Sequence, residues 1–227
     1  MTRRDEDRLP ATIGIAGEQL WLLPERALYW PARRMLMVAD AHFGKAARFR
    51  TLGIPVPSGT TAANLQVLDA LVDRHAVQRL LFLGDLMHGR LLHGSATFQA
   101  LIDWRRRRPA LSLELVPGNH DRHAGDLPPA LDICLHREPY HAGPFALRHH
   151  PEPLPGHYVL AGHVHPVVVL QGSGRDRLRT PCFTFGATVG VLPAFGAFTG
   201  GFVVERSAAG RVFVVAGARV LELPQPR

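Results

Sequence analysis

Five separated polar blocks, each just behind an apolar run, constrain this chain more than any other feature. In order they read Asp40-Ala41-His42, Gly84-Asp85, Gly118-Asn119-His120-Asp121, His149-His150 and Gly162-His163-Val164-His165. The runs before them are MLMV, LLFL, LSLELV, FAL and YVL. Short apolar runs bounded by Gly, Pro and polar residues predict buried strands. Open sheets of such strands place ligand sites beyond the strand ends. Five strands would then deliver Asp, Asn and His side chains to one edge of one sheet.

The remaining pattern predicts a layered α/β fold. Apolar runs at 11–16, 19–23 and 27–30 predict strands or a hairpin before the first block. The Gly/Pro-punctuated stretch from Gly44-Lys45 to Ser58-Gly59 reads as a loop beside the site. Thr60 or Thr61 is expected to cap a helix carrying Leu65, Leu68, Leu71 and Val72 at helical spacing. A second helix is expected over 95–107, with Phe98, Leu101 and Ile102 inward and Pro109 stopping it. With the strands between them this is β-α-β-α-β. From 144 onward the pattern changes to short strands at 145–148, 158–161, 166–170, 182–186, 201–204 and 211–215. Gly172-Ser173-Gly174 and Ala208-Ala209-Gly210 are the turns between later runs. The 227 residues suit a single domain, 1–227, in which 1–10 form a flexible polar arm.

Hydrophobic residues make up 46% and charged ones 20%, as in globular proteins. The segment MTRRDEDRLP has no apolar stretch behind its charges, and no run approaches the ~20 residues that span a bilayer. A cytoplasmic protein with no membrane partner is expected. Cys134 and Cys182 form no C-x-x-C pair, so reduced thiols are expected rather than a disulfide or zinc site. The net charge is +7, and 26 basic residues include a single lysine, Lys45. Arg binds phosphate in bidentate fashion, so the charge is compatible with a polyanionic partner. Charge alone adds little, since a general arginine bias gives the same count.

The blocks supply the parts of a two-metal phosphoesterase. Cleaving a phosphate ester at neutral pH needs an activated water and positive charge on the phosphoryl oxygens, which two divalent ions provide. Asp85, in a Gly-Asp corner, suits the bridging position. Asp40, His42 and His165 can complete the first metal, and Asn119, His149 and His163 the second. Either His149 or His150 can fill the fourth block. Only two carboxylates, Asp40 and Asp85, then face the divalent charges, leaving room for a hydroxide and a phosphodiester. An imidazole-rich set without thiolate favours manganese, with iron or zinc as alternatives. His120 is placed to protonate the leaving oxygen, with Asp121 orienting it. Lys45, Arg48 and Arg50 follow the first ligands and are candidates for holding substrate, as is His88, three residues past Asp85. His75, His93, His123, His136, His141 and His157 read as loop histidines, and Arg105–Arg108 as a solvated helix end. Trp21, Trp30 and Trp104 read as packing residues rather than base-stacking platforms.

The ordered pattern D-x-H, GD, GNH[DE], H, GHxH over roughly residues 36–166 resembles the calcineurin-type metallophosphoesterases. That resemblance implies a four-layer α/β/β/α sandwich with a dimetal site at the strand ends, and His149 as the fourth-block ligand. LYWP (28–31), ADAHFGK (39–45), RTLGIPVP (50–57), GDLMHGR (84–90) and LPAFGAFTGG (192–201) resemble the bacterial PdeM group, phosphoesterases associated with a DNA ligase and an Lhr-type helicase in DNA damage response. This implies a metal-dependent phosphodiesterase acting as an endonuclease on DNA, single-stranded DNA in particular. A metal-activated hydroxide would attack while His120 assists the leaving group. The other readings are a phosphatase or pyrophosphatase on a small nucleotide, and a non-catalytic metal-binding scaffold. DNA binding should be weak, salt-sensitive and largely indifferent to sequence, because phosphate contacts carry no base information.

Overall fold

The computed structural model describes residues 9–90, 94–172 and 174–226. His93, Ser173 and the first eight residues of the expected arm lie outside them. Strands β1 (Ala11–Ile15), β2 (Glu18–Leu23), β3 (Ala27–Trp30) and β4 (Met35–Ala39) form an antiparallel meander. Helices α1 (Lys45–Thr51) and α2 (Thr60–Arg74) lead to β5 (Arg79–Leu83). Helix α3 (Ala96–Arg107), strand β6 (Ser112–Val116), helix α4 (Asn119–Ala124) and strand β7 (Ile133–Leu135) follow. The first sheet runs β1-β2-β3-β4-β5-β6-β7, with β4 to β7 parallel.

The second sheet is built from β8 (Tyr140–Ala142), β9 (Phe145–Leu147), β10 (Tyr158–Ala161), β11 (Pro166–Gln171), β12 (Arg177–Phe185), β13 (Val189–Val191) and β14 (Phe202–Val203). Its order is β14-β11-β12-β13-β10-β9-β8. Strands β15 (Arg211–Ala216) and β16 (Arg219–Glu222) extend it from β12.

Strand alternation divides the apolar runs between two cores. Met35, Met37, Ala39, Leu81, Leu83 and Val116 meet Phe145, Leu147, Leu160, Phe183 and Phe213 between the sheets. Leu36, Val38, Leu80, Phe82, Leu113 and Leu115 face the other way, onto Leu65, Leu68 and Leu71 of α2 and Leu101, Ile102 and Trp104 of α3. A parallel sheet covered on both faces must be apolar on both, which is why these runs do not alternate in sequence.

Two sheets face each other as expected, and the helices cover the first. The far side of the second carries Val168, Cys182, Val212 and Val214, packed by Leu170, Val204 and Leu223. No α-helix lies beyond Ala124 among the described residues, so an outer helical layer on that sheet is not observed there. The later segments are short strands punctuated by Pro and Gly, with no helical period to supply one.

Local expectations needed three corrections. Lys45–Thr51, read as loop, is helical: Gly44 at φ 87° turns the chain, and Ala46 packs inward. Gly59, not a threonine, is the N-cap of α2, whereas Ser95 caps α3 by accepting from the Phe98 N–H at 3.2 Å. The arginines ending α3 are not simply solvated. Arg105 is buried and donates to the carbonyls of Arg108 and Leu111 and to Asp132, and Arg108 donates to Asp69 and Asp73. At the start, Leu9 already pairs beside Arg219, its N–H donating to Ala218 at 3.0 Å. Trp30 and Trp104 are core residues, with indole N–H groups bonded to Glu18 and Asp69.

Candidate metal centre

The blocks converge at the ends of β4, β5 and β6 of the first sheet and of β9 and β10 of the second, so the donors meet between two sheets and not along one edge of one sheet as expected. Asp40, Asp85 and His149 are buried, lying beyond three of those ends. Asp85 lies between two groups of donors. Its Oδ1 is 3.6 Å from His149 Nε2, and its Oδ2 is 3.8 Å from His42 Nε2. On the His42 side, His165 Nε2 is 3.4 Å from both His42 Nε2 and Asp40 Oδ1. On the other, His149 Nε2 is 3.0 Å from Asn119 Oδ1 and 3.1 Å from His163 Nδ1. Asp40, His42 and His165 are close enough to share one ion, as are Asp40, Asp85 and His149.

The donors fit divalent metal on three counts. Buried Asp40 Oδ1 and His42 Nδ1 have no hydrogen-bond partner, and such groups are rare in folded proteins unless something else satisfies them. The Nδ1 atoms of His149 and His165 lie 3.2 Å from the Leu83 and Thr199 carbonyls, so each carries its proton there and turns the Nε2 lone pair inward. Burial, with Lys45 and neighbouring histidines, lowers the His42 pKa to about 2, which keeps that imidazole neutral and able to ligate.

Backbone geometry explains the turn chemistry of the motifs. Asp40, His42, Asp85, His163 and His165 all have positive φ, between 46° and 69°. That region is disfavoured for residues with a Cβ, and such strain clusters at functional sites. It lets the chain leave each strand sharply and aim i and i+2 side chains into one cleft. Neighbouring glycines make room. A Cβ at Gly84 would lie 1.9 Å from His149 Nδ1, at Gly118 2.3 Å from Asp85 Oδ1, and at Gly162 2.7 Å from Asp40 Oδ2.

Around this cluster the assignments diverge. His149, fully buried, touches Asn119 and Asp85, whereas His150 lies beside His163 with ring centroids 4.2 Å apart. Asp121 does not orient the His120 ring. Its carboxylate oxygens accept from the Met87 and Gly118 N–H groups at 2.9 Å, tying the second block to the third. His120 is anchored instead by its own N–H on Asp85 Oδ1 at 2.8 Å, and its half-exposed ring stacks on His88 at 5.0 Å. Burial and the nearby Lys45, His120 and Arg48 lower the His88 pKa to about 4. His88 and Arg48 line a 260 Å³ cavity with Phe43, Met87, Arg90 and Thr97. Lys45 Nζ approaches the Thr199 carbonyl at 3.4 Å. Arg50 is not brought to the site, since its guanidinium donates to Pro57.

Two positioning roles are not read from the sequence, one on a residue it does not single out and one on a segment it marks only by resemblance. Glu138, in a loop without periodicity, accepts from the N–H groups of His149 and His150 at 2.7 and 3.3 Å. The LPAFGAFTGG segment braces the first block: Phe195 N–H donates to Ala39 and Gly196 N–H to Asp40, and a Cβ at Gly196 would lie 2.3 Å from the Ala41 carbonyl oxygen.

Strand-end Asp and His donors grouped closely enough to hold divalent metal define a class, the metal-dependent hydrolases. No protein-family profile and no curated protein sequence matched the chain. Among solved structures, a Pseudomonas putida nuclease, MPE, is 46% identical, covering 94% of this chain and 100% of its own, with a TM-score of 0.84. YfcE, a phosphoesterase from E. coli, is 14% identical over 81% of this chain and 88% of its own, at a TM-score of 0.40. The chain belongs to the calcineurin-like metallophosphoesterase family.

Proposed function

We propose that this protein hydrolyses phosphodiester bonds with two divalent ions, manganese by preference, and acts as a single-strand DNA endonuclease in DNA damage response. The observation that carries the reading is Asp85, whose two carboxylate oxygens face separate donor groups. Asp40, His42, Asp85 and His165 would hold the first ion, and Asp85, Asn119, His149 and His163 the second. Bound there, the ions supply an activated water and a positive clamp on the phosphate. His120 stands at the open side, its Nε2 3.9 Å from Asp85 Oδ2, and donates a proton to the leaving oxygen. Asp121 holds the two loops in register, and Lys45, Arg48 and His88 form the rim that meets the substrate backbone. The nuclease reading draws on the Pseudomonas putida relative. The link to a ligase and an Lhr-type helicase, and the cytoplasmic setting, rest on the sequence reading. No described helix is long and apolar enough to cross a membrane.

The test gives metal-stripped protein manganese, then bis(p-nitrophenyl) phosphate, p-nitrophenyl phosphate and circular single-stranded DNA. Cutting of the circle that disappears in Asp85→Ala and falls by a factor of about 10²–10⁴ in His120→Ala supports the reading. Hydrolysis of mononucleotides alone replaces it with a small-nucleotide phosphatase. No turnover with manganese, iron or zinc leaves a scaffold.

A further inference from the structure

Single-strand binders commonly add rings for unpaired bases to stack on, and the tryptophans do not provide them. Trp30 and Trp104 are buried, and Trp21 packs edge-on against Tyr29 and His75. Among the described residues, two phenylalanines stand well out in solvent: Phe198, 46% exposed, and Phe202, 67% exposed. They flank one short turn, Phe198 before it and Phe202 opening β14, and the turn is held against the donor cluster. The Thr199 carbonyl, between them, accepts from His165 Nδ1 at 3.2 Å, and the Phe202 N–H donates to the His165 carbonyl at 3.0 Å.

Phe198 also has a positive φ, 59°. A bulky side chain is a true outlier there, and this ring is half in solvent. Two cations reach the turn: exposed Arg179 donates to the Gly201 carbonyl at 2.8 Å, and Lys45 approaches the Thr199 carbonyl at 3.4 Å. Two exposed rings with cations at the turn between them have the chemistry that single-stranded nucleic acid recognises: bases stack while the backbone meets positive charge.

We propose that Phe198 and Phe202 form a base-stacking platform that seats unpaired nucleotides beside the metal cluster. The proposal rests on the phosphodiesterase reading above and specifies how its substrate is held. It predicts grip without sequence preference, because every base offers a ring face.

The test measures binding of manganese-loaded protein to a fluorescein-labelled phosphorothioate oligothymidylate, with a matching abasic oligomer as comparator. Wild type should bind the thymidylate more tightly than the abasic chain. Phe198→Gly, which removes the ring and suits the left-handed backbone, should weaken thymidylate binding about tenfold or more and leave abasic binding in place. Phe198→Trp should restore it, and Phe202→Ala should act in the same direction. A melting temperature of Phe198→Gly at or above wild type shows that the fold is intact. Equal thymidylate binding by wild type and Phe198→Gly, or equal loss with both oligomers, overturns the platform. So does a wild type that binds neither oligomer, or self-association lost in Phe202→Ala with oligonucleotide binding unchanged. Wild-type hydrolysis of bis(p-nitrophenyl) phosphate separates these outcomes from failure of the phosphodiesterase reading itself.

Discussion

His149 lies so close over Gly84 that a Cβ on that glycine would fall 1.9 Å from the imidazole Nδ1. The glycine is therefore a spacing requirement of the donor cluster as well as a turn residue at φ 75°. Gly84→Ala should push His149 away from Asp85 and Asn119. Activity should drop at least 100-fold with the protein still folded, checked by initial rates alongside circular dichroism. Wild-type rates in Gly84→Ala would mean that His149 does not need its observed place.

Glu138 should matter through His149 without touching substrate. Glu138→Ala removes the acceptor for the His149 and His150 N–H groups, and manganese affinity should fall about 10- to 100-fold. Glu138→Gln keeps an acceptor oxygen and should recover most of it. Isothermal titration with manganese reads both variants, and unchanged affinity in Glu138→Ala would remove Glu138 from the site's support.

Glu114 should set part of the acid stability. Burial pushes its pKa up, but hydrogen bonds from Arg79 at 2.6 and 2.8 Å and from His136 at 2.7 Å outweigh this and hold it below the usual carboxylate value. A depressed folded pKa stabilises above the unfolded value, ~4.3, and the benefit is lost as pH falls through the folded value. Glu114→Gln should destabilise the protein at pH 7, with the gap to wild type closing as pH falls below the unfolded carboxyl value. Urea unfolding at several pH values checks this, and a pH-independent difference would contradict it.

Metal removal should destabilise the fold. Five positive-φ residues and unpartnered buried atoms at Asp40 and His42 are strain and desolvation that bound ions would offset. Manganese at a hundredfold excess over its dissociation constant should add about 2.7 kcal/mol per site. Chelation should lower the melting temperature, and manganese should restore it. An unchanged melting temperature would mean that the cluster is stable without ions.

Much of the site was legible because donor chemistry and strand punctuation are local. Asp40, His42, Asp85, Asn119, His163 and His165 each stand at a predicted strand end. LYWP and LPAFGAFTGG were legible only as resemblance, and their physical meaning differs. In LYWP, Trp30 is core and the Tyr29 hydroxyl bonds the His75 carbonyl, whereas LPAFGAFTGG braces Asp40 and His165. Asp121 was misread because sequence adjacency suggested a partner for His120, while the turn of α4 sends its carboxylate to Met87 and Gly118.

By itself the sequence determined which strands exist and which donor atoms stand at their ends, since alternation, Gly-Asp corners and His-x-His spacing are short-range properties. Only the tertiary structure decided which donors share a neighbour. That Asp85 faces both groups, that His149 rather than His150 lies against Asn119, and that Thr199 and Glu138 hold His165 and His149 in place all depend on contacts between residues far apart in the chain. Such contacts are set by how two sheets pack, and no local pattern encodes that distance.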